Sequence, residues 1–206
     1  MIAALLCSAC LVAGSVNPVF ADASKVVTLG ADLTDAQKQT MMKYFNVSSD
    51  QVQVMTITNE DEHKHLDNIA PQSQIGSRTL SCAYVKPTQS GGIKVRTANL
   101  NWVTGNMIAT TLSTSGVKNC EVVAACPMEV SGTGALTGIQ MAYEKASGEK
   151  LDETKTKLAN QEIVTTGELA DKVGKNEATT VVNQSKMDVI QNGVQARTIL
   201  TGSCLF

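Results

Sequence analysis

Hydroxyl-bearing residues and glycines cluster in the run Ser-Gly-Thr-Gly-Ala-Leu-Thr-Gly at residues 131–138. The run follows an apolar stretch that predicts a strand and precedes a pattern that predicts a helix. Backbone N–H groups at a helix N-terminus, helped by nearby hydroxyls, bind anions and carbonyl oxygens. The run therefore predicts a ligand-binding turn built from Ser131, Gly132, Thr133 and Gly134. The alternative is a tight strand-to-helix turn in which glycine permits close packing.

A second turn repeats this pattern at Val103-Thr104-Gly105, where another predicted strand meets another predicted helix. Two such units place their helix N-termini at the same edge of a sheet, where open α/β sheets bind ligands. Thr104 therefore joins the predicted contact edge. The glycine spacing around residue 134 is one residue longer than the dinucleotide fingerprint, and no lysine follows to make a phosphate-binding loop. The sequence predicts no cofactor.

The segment 60–65 holds three carboxylates and both histidines of the chain, and these side chains could hold a divalent metal ion. His63 and His65 are two residues apart, so they do not share a helix face, and a solvated charged helix face is favoured over a metal site. Ser81 or Ser131 paired with a histidine would make a hydrolase. No G-x-S-x-G motif is present to support one. No catalytic or metal-binding residue is assigned.

Four of the six cysteines follow residue 21. An even number in an exported protein predicts disulfides, and four cysteines allow three pairings. Residues 120–126 read as one strand, which would separate its terminal Cα atoms by about 20 Å. A disulfide tolerates about 7 Å, so that pair is disfavoured. Buried free thiols are the alternative. The candidates are Cys82, Cys120, Cys126 and Cys204.

Residues 1–21 read as an export signal, with an apolar run and small residues at Val19 and Ala21 before Asp22. We expect cleavage after Ala21 and a secreted or extracytoplasmic protein. A lipid anchor at Cys10 is the less favoured alternative. No later stretch approaches the roughly 20 apolar residues of a membrane span, so the mature chain is predicted to have no transmembrane segment.

Composition excludes some partners. The chain has 206 residues and a formal charge of −2, and its lysines are scattered. A nucleic-acid surface requires a concentrated basic patch, so no nucleic-acid partner is predicted. The low aromatic content argues against an aromatic-lined sugar cleft.

The order of the patterns predicts an α/β fold with a mixed sheet built from strand–helix units. One antiparallel hairpin is expected, with strands at 78–86 and 93–102 joined through the turn at 89–92. Residues 22–148 form the α/β domain after the signal peptide at 1–21. Residues 149–206 are polar and helix-favouring, and we expect them to form a helical C-terminal region that packs on that domain.

Four motifs in the expected order resemble the YpuA-like proteins, an exported family of Firmicutes that carries a domain of unknown function. The resemblance runs from about Lys25 to about Lys186 and implies an exported, envelope-associated role. It supplies no substrate and no catalytic residues. The motifs are Leu-Gly-Ala-Asp-Leu-Thr at 29–34, Ile-Gly-Ser-Arg at 75–78, Asn-Trp-Val-Thr at 101–104 and the run at 130–138.

The sequence thus predicts a cell-envelope-associated protein that acts as a non-catalytic binding or interaction module. Its predicted partner is a cell-wall component, a small anion or another envelope protein. Two alternatives remain open: a hydrolase of envelope material, or a structural protein whose polar helices mediate assembly.

Overall fold

A computed structural model describes residues 25–192. The predicted signal segment, Cys10 and Cys204 lie outside the described residues. Within 25–192, no helix combines the length and apolar character needed to cross a membrane. The described elements are β1 (Val26–Gly30), α1 (Asp35–Tyr44), β2 (Gln53–Ile57), α2 (Asn59–Leu66), α3 (Gln72–Ile75), β3 (Cys82–Pro87), β4 (Ile93–Leu100), α4 (Gly105–Thr114), β5 (Cys120–Val130), α5 (Thr133–Ser147), α6 (Glu153–Val173) and α7 (Lys175–Asn192).

The strands form one mixed sheet in the order β2-β1-β3-β5-β4. β1 runs parallel to β2, and β4 runs parallel to β5. β3 lies between them and is antiparallel to both β1 and β5. The predicted fold class is confirmed: a mixed sheet with strand–helix units, followed by helices.

The predicted hairpin is wrong, because β5 lies between β3 and β4. Burial explains the order. β5 is buried on both faces around Ala124, Ala125 and Cys126, which suits a central strand. β4 carries exposed Lys94 and Arg96, which suits an edge strand because charged side chains discourage pairing with another chain.

Helices cover the sheet unequally. α5 packs on β1 and β3, and α4 packs on β4, so one face carries the larger core. On the opposite face lies a smaller core. It contains Met41 of α1, Phe45 at the C-terminal cap of α1, and Leu29 of β1. α6 packs on α4, and α7 packs on α6. The C-terminal helices therefore rest on the larger core, while the domain boundary at residue 148 stays a prediction.

Local signals fix several helix ends. Thr34 begins α1 through a capping box with Gln37, and Thr58 begins α2 through the same arrangement with Asp61. Gly148 ends α5 with φ 73°, a left-handed conformation that glycine adopts without steric cost. These caps satisfy backbone groups that a helix leaves unpaired, and they set where α1 and α2 begin and where α5 ends.

Candidate functional site

Parallel pairing brings the two predicted turns to one edge of the sheet. β4 leads into α4 at Thr104, and the neighbouring β5 leads into α5 at Ser131. The backbone N–H of Val103 donates to the carbonyl oxygen of Ser131 at 2.9 Å. The predicted shared edge is confirmed, and we call residues 131–135 the α5 N-terminal turn.

The hydroxyls at this edge make hydrogen bonds within the chain. Thr104 Oγ1 accepts from the backbone N–H of Met107 at 3.2 Å and so caps α4. The hydroxyls of Ser131 and Thr133 both donate to the carbonyl oxygen of Gln74, at 2.7 and 3.2 Å. Gly132, with φ 101°, occupies the N-cap position of α5. Ligand binding by these residues stays a prediction.

Gly134 allows the first turn of α5 to approach the segment before β3. A Cβ at this position would lie 2.8 Å from Thr79 Cγ2, 3.0 Å from Glu62 Oε1 and 3.1 Å from Ser81 Oγ. The next backbone N–H, that of Ala135, donates to Ser81 Oγ at 2.6 Å. These contacts match the close-packing alternative for the glycine-rich run.

Glu62 is buried beside this turn, with a relative exposure of 1%. The prediction that this segment forms a solvated charged helix face is therefore wrong at this residue. The Thr79 hydroxyl donates to Glu62 Oε1, and Oε2 has no hydrogen-bond partner. Burial raises the pKa of Glu62, the hydroxyls of Thr79 and Thr133 act against that rise, and the charge of Asp32 adds to it. Leu66 lies one turn away and is buried too, so the i,i+4 spacing could have revealed this inward face.

The two histidines diverge, as their spacing predicts. His63 Nδ1 lies 2.7 Å from Asp67 Oδ1, and His65 Nδ1 lies 2.8 Å from the carbonyl oxygen of Asp61. Across residues 25–192, no group of three or more His, Cys, Asp or Glu side chains is arranged to hold a metal ion. The Ser131 hydroxyl donates to a backbone carbonyl, and Ser81 Oγ accepts a backbone N–H.

The three described cysteines are free and buried. The disulfides expected from the even cysteine count are not shown among them. Cys120 and Cys126 share β5, which agrees with the argument against that pair. Burial raises the pKa values of Cys82 and Cys120 to about 12. These thiols stay protonated at neutral pH, which makes them poor nucleophiles.

A polar cleft lies on the other side of α2, between this helix and the start of α6. We call it the α2–α6 cleft; its volume is about 470 Å³. Sequence reasoning missed it, because its walls come from residues 64–69 and 144–160, which lie far apart in the chain. The lining residues are Lys64, His65, Asp67, Ile69, Glu144, Lys150, Leu151, Glu153, Thr156, Lys157 and Asn160.

Three lysines and three carboxylates line the cleft, but they are not equally engaged. Lys64 pairs with Glu60 at 2.8 Å. Glu144 Oε1 accepts the backbone N–H of Leu151 at 2.8 Å. Among the described residues, neither Lys150 nor Lys157 forms an ion pair with protein. The cleft therefore offers two unpaired cations.

Buried polar groups lie at the back of the cleft. Asn160 Nδ2 donates to the carbonyl oxygen of His65 at 3.2 Å, and Gln140 Nε2 donates to Asn160 Oδ1 at 2.6 Å. These bonds fix the amide of Asn160 and tie α2, α5 and α6 together. Thr156 is one of the lining residues, and its buried Oγ1 has no partner among the described residues; Gln140 Oε1 has none either. Unpaired buried polar atoms are costly, and a ligand in a site supplies such partners.

Comparison with known proteins identifies a family, and the family description names no activity or ligand. The family model described as a protein of unknown function, DUF1002, matches residues 29–201. The chain is 41% identical over 170 residues to the uncharacterized protein YpuA of Bacillus subtilis (strain 168). These 170 residues cover 82% of this chain and 58% of that relative. The chain thus matches little more than half of the relative's length. No solved structure matches this chain. A YpuA-like relation is shown, and this protein belongs to the DUF1002 family of proteins of unknown function.

Proposed function

We propose that this protein is an exported, cell-envelope-associated binding module without a catalytic role, and that its ligand site is the α2–α6 cleft. The ligand is a small anionic component of the cell wall that also carries hydroxyl or amide groups. The unpaired Lys150 and Lys157 beside the partnerless Thr156 hydroxyl carry this proposal.

The charges at the cleft support an anionic ligand. Lys150 and Lys157 would each gain an ion pair with a carboxylate or phosphate, and charge-assisted hydrogen bonds are about twice as strong as neutral ones. Asp67, Glu144 and Glu153 in the same wall limit how much negative charge the site tolerates. A ligand with one or two negative charges suits this balance better than a highly charged one.

The size and buried polar atoms support a small molecule rather than a surface contact. A volume of about 470 Å³ lies within the range of pockets that enclose small ligands. The Thr156 hydroxyl can donate to and accept from a bound molecule. A ligand that forms a hydrogen bond with this unpaired hydroxyl binds more tightly than one that does not, which gives specificity beyond charge.

The export part of the proposal rests on residues 1–21 and their small residues before Asp22. Expression of the full chain in a host with a general export pathway tests it. We expect the mature protein outside the cytoplasm with Asp22 as its first residue. A product that keeps residue 1 and stays in the cytoplasm contradicts the proposal.

Binding is tested by calorimetry on the protein recovered from that expression, with purified disaccharide-peptide wall fragments and inorganic phosphate as probes. Lys157→Glu is expected to weaken binding about tenfold, the loss of one charge-assisted contact of roughly 1.4 kcal/mol. Lys172→Glu is the matched control, since it makes the same charge change on an exposed position of the same helix. Equal losses in both variants, or no heat of binding with any probe, would reject the cleft as the ligand site.

A further inference from the structure

The face of the sheet that carries α1 is covered only in part. Along β3, β5 and β4, one set of alternating residues points away from α5, since successive side chains of a strand point to opposite faces. The register aligns Lys86, Glu121 and Lys94 in one row across the three strands. Tyr84, Val123 and Arg96 form the next row.

Exposure shows that the charged residues of these rows face solvent. Lys86 and Glu121 have side-chain exposures of 39% and 45%. Lys94 and Arg96 on the edge strand are exposed, whereas Val85 and Val122, which point to the opposite face, are buried. The core under α1 extends to the second row, where Tyr84 and Val123 are partly buried against it, and the ring of Phe45, the C-cap of α1, lies 6.4 Å from that of Tyr84. We call Lys86, Lys94, Arg96 and Glu121 the basic sheet face.

Positive charge is concentrated on this face although the whole chain carries −2. Three cations surround one carboxylate, and the sole ion pair here among the described residues joins Lys86 Nζ to Glu121 Oε2 at 3.5 Å. Neighbouring strands are about 4.8 Å apart and alternate residues about 6.8 Å apart. The cations therefore spread over a flat surface at intervals of roughly 7 to 10 Å.

We propose that the basic sheet face binds a linear, phosphate-bearing polymer of the cell envelope. A flat row of separated cations matches a chain of regularly spaced anions, whereas a single small anion requires donors that converge on one point. The envelope source rests on the export proposed above. The electrostatic contact does not depend on export. A failure of export would therefore leave a binding result obtained with purified protein unaffected.

Edge protection is the competing explanation, because Lys and Arg on an edge strand also prevent pairing with another chain. Glu121 separates the two explanations. It lies between Lys86 and Lys94 on β5, which is not an edge strand, so it contributes nothing to edge protection but repels a polyanion. Removing its charge should therefore improve polymer binding.

The test measures binding of fluorescent long-chain inorganic polyphosphate by anisotropy. Three phosphate contacts predict that affinity falls about 20-fold when salt rises from roughly 50 to 200 mM. The double variant Lys94→Glu/Arg96→Glu should lose at least about tenfold in affinity at low salt and flatten the salt dependence. Glu121→Gln should bind about two- to threefold more tightly, since it removes a like charge from the site.

The double variant Lys155→Glu/Lys172→Glu is the control, because it makes the same change in net charge on exposed positions of α6. An equal loss in this control, or no gain in Glu121→Gln, overturns the proposal. Tighter binding to anionic lipid vesicles or to single-stranded DNA of equal charge overturns the choice of partner. Thermal unfolding of each variant checks that the fold is kept, and Glu121→Gln stays decisive if the charge-reversed protein is unstable.

Discussion

The α5 N-terminal turn and the α2–α6 cleft contain similar polar groups and use them in different ways. At the turn, hydroxyls, a carboxyl group and backbone N–H groups bond one another, and glycine lets the segments close together. At the cleft, Lys150 and Lys157 form no ion pair among the described residues, and the Thr156 hydroxyl has no partner there. Polar residues satisfied within a chain stabilise a fold, and polar residues left unsatisfied around a concave space are available to a ligand.

Helix α2 belongs to both regions. Glu62 and Leu66 point inward, toward the turn and the core. Lys64 and His65 line the cleft. The comparison therefore divides one short helix between a structural face and a candidate binding face, so neighbouring substitutions should have separable effects.

The largest expected effect is at Gly134. In Gly134→Ala, the new methyl group lies 3.0 Å or less from Thr79 and Glu62 and must push them apart. We expect the free energy of unfolding to fall by about 2 kcal/mol in urea titrations. Gly105→Ala is the control, since its nearest neighbours are 3.6 Å away and alanine favours a helix. If both variants unfold alike, the close packing of the turn is not what requires glycine.

Glu62 predicts a pH dependence of stability. Its pKa is raised in the folded protein, so the folded state holds the proton more tightly than the unfolded chain does. Its contribution is fully present below the ordinary glutamate pKa and is lost as pH rises through the raised value. Glu62→Gln cannot ionise, so it does not lose this contribution. As pH rises across this window, the unfolding free energy of the variant should therefore increase relative to that of the wild type. Parallel stability curves from acidic to mildly alkaline pH would mean that the carboxyl is not perturbed by burial.

Thr156→Val separates binding from stability at the cleft. Valine keeps the shape of threonine and removes a buried hydroxyl that has no partner. We expect the free energy of unfolding to stay the same or rise by up to about 1 kcal/mol. Affinity for the wall fragment that binds the wild type should fall about fivefold, the value of one modest hydrogen bond. A loss of stability with unchanged affinity would make Thr156 a structural residue.

The smallest effects are expected at the hydroxyls of the turn. Ser131 and Thr133 donate to the same carbonyl oxygen, that of Gln74, so each can partly replace the other. Ser131→Ala should cost about 0.5 kcal/mol in unfolding free energy, and the double change Ser131→Ala/Thr133→Val should cost more than the sum of the single changes. Affinity for the cleft ligand should not change. If Ser131→Ala lost affinity for the ligand without losing stability, the binding site would lie at the α5 N-terminal turn instead of the cleft.

Much of the local structure could be predicted because it depends on neighbouring residues. The hydroxyl at Thr104 and the glycine at 148 mark helix ends through bonds that span three or four residues. Alternating apolar patterns predicted the strands, and the repeated strand–turn–helix units predicted the shared edge that β4 and β5 form. These signals act within one segment, where sequence and structure correspond directly.

The order of the strands needed more than local signals. β3 and β4 follow one another through a glycine-rich turn, which favours a hairpin, but β5 is inserted between them. β5 is buried on both faces around Ala124, Ala125 and Cys126, so it gains most from a place inside the sheet. Burial on both faces is a property of the whole sheet, and the turn sequence cannot encode it.

The sequence by itself determined the α/β class, the helix caps and the apolar patterns, since hydrogen bonding and hydrophobic periodicity act over short distances. Only the tertiary structure decided that Glu62 is buried, that the hydroxyls of the α5 N-terminal turn bond to Gln74, and that Lys150 and Lys157 stay unpaired among the described residues. Each of these depends on which distant segment lies opposite. That choice follows from the packing of all the helices on the sheet rather than from any single motif.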